Sequence, residues 1–188
     1  MKKTVIRVIA TALCLIVVLS SLVACDMVDS VLKTFKKEEI PATATYEFST
    51  VQNVSVKNSE ELANEIDTLT SMYKRGHYVL WWDSHFNMDA KIDTVSCKDG
   101  TITFTHYYGI GAASFMNGGS VYSEYGTNVY TLGTYSGKNV TIDENVQENE
   151  YYTDAYLTED GFIICVEETD SEGVVIQYEL VFESVDAQ

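Results

Sequence analysis

Val174-Val175-Ile176-Gln177-Tyr178-Glu179-Leu180-Val181-Phe182-Glu183 decides the fold. Val174, Ile176, Tyr178, Leu180 and Phe182 occupy every second position, and side chains two apart share one face of a β-strand. That face belongs to a core. The alternate face, with Gln177, Glu179 and Glu183, is read as largely wet, an arrangement that antiparallel sheets permit.

The same period of two, rich in β-branched and aromatic residues, recurs upstream over 46–56, 77–83, 90–97, 101–108, 128–135, 139–143, 151–157 and 161–168. Asp99-Gly100, Asn117-Gly118, Ser136-Gly137 and Asp160-Gly161 stand between these runs, where glycine supplies the positive φ of tight turns. The expected class is α+β, mostly β: a curved antiparallel sheet or half-barrel of about eight to ten strands. In outline this layout resembles lipoprotein-carrier and lipocalin-like folds. No repeat of 20 to 50 residues is visible, which disfavours propellers and solenoids.

One amphipathic helix is predicted over 59–74, packed on the sheet. Asn58 or Ser59 can cap it, and Leu62, Ile66, Leu69 and Tyr73 form its apolar stripe. Acids fall in its first half, Lys74 and Arg75 in its last turn, and Gly76 follows, in the order the helix dipole favours.

The amino terminus has a basic start (Lys2, Lys3, Arg7), an apolar run over 8–18 and small residues leading to Leu22-Val23-Ala24-Cys25. This tetrapeptide resembles the lipobox of bacterial lipoproteins. The resemblance implies that 1–24 is a cleaved signal peptide, that the Cys25 thiol takes a diacylglyceryl group, and that Cys25 becomes the mature first residue. Export and anchoring to the outer face of a cell membrane by acyl chains follow from it. Cys14 lies in the apolar run after the large Leu13 and leaves with the leader. Residues 25–45 read as a lipidated tether, with a short helix suggested by Val28, Val31, Leu32 and Phe35, and 46–188 as one globular domain.

Removing the leader leaves 9 basic against 28 acidic residues, a net charge of −19, which excludes a nucleic-acid binder. Residues 139–188 hold 14 acids and no Lys or Arg, a solvated face or, in the sharper reading, a weak calcium site; no EF-hand-type run is present.

Catalytic patterns are sparse. His77, His85 and His106 show no paired metal-ligand spacing, so no metal site is assigned, and no cofactor. Asp83-Ser84-His85 holds triad residue types, but consecutive residues point apart. Ser71-Met72-Tyr73-Lys74 lacks the partner motifs of penicillin-binding enzymes, and Gly109-Ile110-Gly111-Ala112-Ala113-Ser114 lacks a following βαβ unit. Cys97 and Cys165 either pair as a disulfide or stay buried as free thiols.

One composition signal remains. Residues 107–156 hold nine of the 13 tyrosines, and 109–137 hold seven of the 11 glycines. Tyrosine, glycine, serine and asparagine make adaptable recognition surfaces, which nominates Trp81, Tyr108, Tyr122, Tyr125 and Tyr130 as ligand-binding rings. Ordinary cross-strand packing of tyrosines is the other reading. Three function classes stay open: a non-catalytic binding lipoprotein for a glycan, peptide or small ligand, a structural or protein-interaction component of the envelope, and, third, a hydrolase.

Anchoring is directly testable. Cys25→Ser should abolish fatty-acid labelling and leave the leader uncleaved, while Cys14→Ser should change neither. Label retained on the Cys25→Ser protein in a metabolic labelling experiment would end the lipoprotein reading.

Overall fold

The structure, a computed structural model, describes residues 37–82, 88–114 and 120–185. The leader, Cys25, the tether residues before Lys37, the Asp83-Ser84-His85 run and the Asn117-Gly118 turn lie outside the described residues. The compact unit begins at Glu38, eight residues before the expected Tyr46.

In chain order the elements are β1 (Thr43–Lys57), α1 (Glu60–Ala63), α2 (Ile66–Gly76), β2 (Tyr78–Trp82), β3 (Met88–Ile92), β4 (Thr94–Lys98), β5 (Thr101–Ser114), β6 (Ser120–Ser136), β7 (Asn139–Ile142), α3 (Glu144–Glu150), β8 (Tyr152–Thr158), β9 (Gly161–Thr169) and β10 (Val175–Ser184). The strands form one sheet in the order β3-β2-β6-β5-β4-β1-β10-β9-β8, with β7 on the far end of β6. Eight of them, from β7 through β6, β5, β4, β1, β10 and β9 to β8, curl until β7 and β8 meet. The mostly β, curved antiparallel expectation holds. Its single exception is a parallel contact of β2 with β6 at Trp81 and Tyr122.

The seam is closed by the segment ahead of β1. Glu38 N–H donates to Leu157 O (2.6 Å), Ile40 N–H donates to Gly137 O (3.1 Å), and the Ile40 side chain is buried. Inside the barrel, Phe48, Phe104 and Phe182 meet edge-on at 5.8 Å, among Val95, Ile102, Leu132, Phe162, Ile164 and Leu180. Aromatic pairs at this spacing add about 0.5–1.5 kcal/mol beyond their area. Beyond the barrel, β2, β3 and the outer halves of β5 and β6 continue as an arm.

Several expectations need correction. The helix is split: Ser59 Oγ accepts from Leu62 N–H (3.3 Å) and caps α1, Asn64 closes it, and α2 starts two residues later. The predicted strand over 90–97 breaks at Asp93, which lies in neither β3 nor β4. The described residues 109–114 and 120–127 belong to β5 and β6, beyond the bounds expected for those strands, and α3, capped by Asp143 Oδ1 accepting from Asn145 N–H (2.9 Å), was not expected. Finally, Glu179 on the supposed wet face of β10 is only 7 % exposed. Bulges in β1, with Asn53 at φ 54°, bring Gln52 and Asn53 to its carboxylate at 3.1 and 2.7 Å, and Tyr156 OH donates to its other oxygen (3.4 Å).

Leu180→Asp places an unpaired charge among fully buried neighbours and should cost several kcal/mol in a thermal melt. Glu47, exposed and directly opposite Glu183, gives the contrast: Glu47→Lys should be neutral or stabilising by about 0.2–1 kcal/mol. Similar losses in both variants would mean that the register is wrong.

Candidate functional site

The Asp93 break in the strand creates the site. Backbone bonds hold it from two sides: Asp93 N–H donates to His77 O (3.0 Å), and Phe48 N–H donates to Asp93 O (2.8 Å). Its side chain is completely buried. His77 Nδ1 lies 2.9 Å and His106 Nδ1 2.7 Å from the same oxygen, Oδ2, while Oδ1 accepts from Tyr107 N–H at 2.7 Å. A carboxylate oxygen only accepts, so both imidazoles carry their proton on Nδ1 in this arrangement and turn Nε2 away from Asp93. Among the described residues no Lys or Arg pairs with Asp93. One atom from each of His77, Asp93 and His106 falls within 4.8 Å of the others, the one such group among the described residues that could hold a metal ion.

Ring packing fixes the two histidines. His77 sits 4.8 Å from Phe48 and 6.2 Å from His106, and the His106 ring lies in line with Phe104 and Tyr108, neighbours on one face of β5. Both histidines line a recess of about 420 Å³ at the mouth of the barrel, between α2 and the ends of β5, β6, β8, β9 and β10. Barrel mouths are usual ligand sites, and this volume is in the usual range.

Tyrosines dominate its walls. Tyr73 on α2 stacks on Tyr178 of β10 at 4.1 Å, and both hydroxyls donate to Glu168, at 3.3 and 2.7 Å. Burial, then the charge and the hydrogen bond of Glu168, push the Tyr73 phenol up to about 12. Burial followed by the Glu168 hydrogen bond raises Tyr178 as well. Tyr130 and Tyr152 share a hydroxyl contact of 3.1 Å, and Tyr151, left-handed at φ 60° and 52 % exposed, stands at the rim.

Of the five rings nominated from sequence, Tyr130 alone lines this recess. The other four sit on the arm. Trp81 meets Tyr125 edge-on at 5.4 Å, with Lys91 Nζ over both rings. Tyr108 lies flat over Gly126 and Tyr122 over Gly109, so closely that a Cβ at either glycine would strike the ring. Such aromatic cover of a strand glycine is a packing device. Tyr73, Tyr151, Tyr152 and Tyr178, which do line the recess, escaped the nomination because they lie on four separate elements or turns.

The remaining candidates settle simply. Cys97 and Cys165 form no disulfide, Cys97 lying in the core with burial pushing its thiol up to about 12 and Cys165 on the opposite face of the sheet. Three of the acids in 139–188 have internal duties. Asp170 Oδ1 accepts from Glu172 and Val174 N–H (2.8 and 2.9 Å), Glu167 accepts from Gln177 Nε2 (2.5 Å), and Glu168 serves the two tyrosines. Comparison of the chain with known protein families, with characterised proteins and with solved structures gives no match. The site is therefore interpreted on its geometry.

The raised phenols make stability pH-dependent. A tyrosine ionises near pH 10 when unfolded, whereas Tyr73 and Tyr178 stay protonated in the fold, so their contribution is whole below about pH 10 and is lost above it. The melting temperature should fall more steeply between about pH 10 and about pH 12 in the wild type than in Tyr73→Phe/Tyr178→Phe. Equal slopes would show that these phenols are not held neutral by the fold.

Proposed function

We propose that this chain is an exported, lipid-anchored protein whose domain binds a small, polar, neutral or cationic organic ligand, a sugar unit foremost, in the barrel-mouth recess. The carrying observation is the recess itself: tyrosine rings with polar groups between them, open at one end of a closed core. Tyr151 offers an exposed ring face at the rim for stacking on a sugar ring, and Asn128, His106 and Glu168 offer an amide, an imidazole and a carboxylate to hydroxyl groups. None of the described lining residues is Lys or Arg, so an anionic ligand would meet carboxylate with no compensating charge. The lipobox-like Leu22-Val23-Ala24-Cys25 supports the anchor and the extracytoplasmic address.

Calorimetry of the purified chain in detergent, against neutral sugars, cell-wall glycan fragments, amino sugars and short peptides, tests this. One saturable site is expected for a sugar or amino sugar. Tyr151→Ala should weaken it by about 1 kcal/mol or more without lowering the melting temperature, and Tyr125→Ala on the arm should leave it unchanged. The opposite pattern would move the site to the arm, and no saturable binding across the panel would remove the reading.

A further inference from the structure

We propose that His77, Asp93 and His106 form a binding site for one divalent first-row transition ion, Zn²⁺ foremost, beside the recess that both histidines line. The inference goes beyond the ligand-binding proposal and does not depend on it. Three observations carry it. The first is convergence: Nδ1 of both histidines and Oδ2 of Asp93 already meet, with N···O separations of 2.9 and 2.7 Å. Metal–ligand bonds of about 2.0–2.2 Å at angles between 90° and 110° put neighbouring ligand atoms about 2.8–3.6 Å apart, close to these two N···O separations, and one ligand atom from each of the three residues lies within 4.8 Å of the others.

The second is charge. Asp93 is fully buried, and its only ionic partners among the described residues are the two imidazoles, so the site has an anionic ligand without a permanent cation. Buried charges are ordinarily paired or metal-bound, and a divalent ion would supply the missing positive charge. The third is orientation. Oδ1 is held by Tyr107 N–H, both ends of the Asp93 backbone are hydrogen-bonded, and Phe48 and Phe104 flank the rings. Outer contacts of this kind fix ligand geometry in metal sites.

Two imidazoles and one carboxylate suit Zn²⁺, Co²⁺ or Ni²⁺ over calcium, which takes six to eight oxygens. On binding, each ring yields Nδ1 to the metal and carries its proton on Nε2 instead, moved through solvent, so neutral rings release no net proton. With three protein ligands, water or another small donor would complete the coordination of the ion.

Cobalt provides the test. The full mature chain, untagged, in detergent and stripped of metal, is titrated with Co²⁺ while visible absorption and the proton spectrum are recorded. One equivalent should produce a saturating visible band and two hyperfine-shifted exchangeable imidazole N–H signals, and Zn²⁺ should displace both and raise the melting temperature. His106→Gln and His77→Gln should each weaken binding at least tenfold, while Glu172→Gln, an exposed acid, should not. The wild-type imidazole signals decide the matter even if a histidine variant fails to fold. No saturable band, a thiolate charge-transfer band reporting cysteine ligation, or undiminished binding in folded His106→Gln would overturn the site.

Discussion

A carboxylate with no access to water constrains the rest of this domain. Burying an isolated charge costs several kcal/mol unless donors surround it, so the partners of Asp93 have to arrive at fixed places. Those of the carboxylate come from two parts of the chain, His77 at the exit of α2 and His106 with Tyr107 in β5, while Phe48 in β1 holds the Asp93 backbone carbonyl. Asp93 also divides what would be one strand, sending β3 to the arm and β4 into the barrel. The departure of the arm, the end of the helix and the recess wall are thus set by one residue.

The sheet was legible because burial on one face imposes a period of two, and β10 shows it without interruption through its inward Ile176, Tyr178, Leu180 and Phe182. Its outer face was misread. Glu179 looks solvated in the sequence, and only bulges in a strand more than a hundred residues away bring Gln52 and Asn53 to it. The break at Asp93 had left a trace: the apolar positions run Ala90, Ile92 and then Val95, Cys97, shifting from even to odd across the acid. The same slip, Tyr46 and Phe48 followed by Val51, marks a β1 bulge. A change of parity within one strand-like run is a physical signal for a bulge or break, because side chains of a regular strand cannot change face. That His77 and His106 meet there depends on long-range pairing that spacing does not encode.

Tyrosine carries two meanings in this chain. On the arm it compensates for glycine: Gly126 and Gly109 have no side chains to cover the sheet, and Tyr108 and Tyr122 lie over them. Two Tyr–Gly pairs of the middle third are thereby explained by strand packing. In the recess, Tyr73 and Tyr178, 105 apart in sequence, join Tyr130, Tyr151 and Tyr152 of the tyrosine-rich stretch. Local enrichment therefore holds part of both surfaces, and long-range pairing completes the one in the recess.

The acidic balance likewise dissolves into separate functions. Asp143 caps α3, Asp170 closes the turn before β10, Glu167 and Glu179 accept from amide side chains, and Glu168 accepts from two phenols. A carboxylate engaged by internal donors points where those donors are. Asp93 differs because its donors are imidazoles, groups that become ligands by moving one proton. Glu168 differs again: it stands in the recess, with both oxygens accepting hydroxyl protons, and these phenols resist ionisation first because burial disfavours the phenolate and then because Glu168 accepts their protons and would repel a second negative charge. The same field acts on any visitor, favouring hydroxyl, amine or metal groups at the mouth and opposing carboxylate or phosphate.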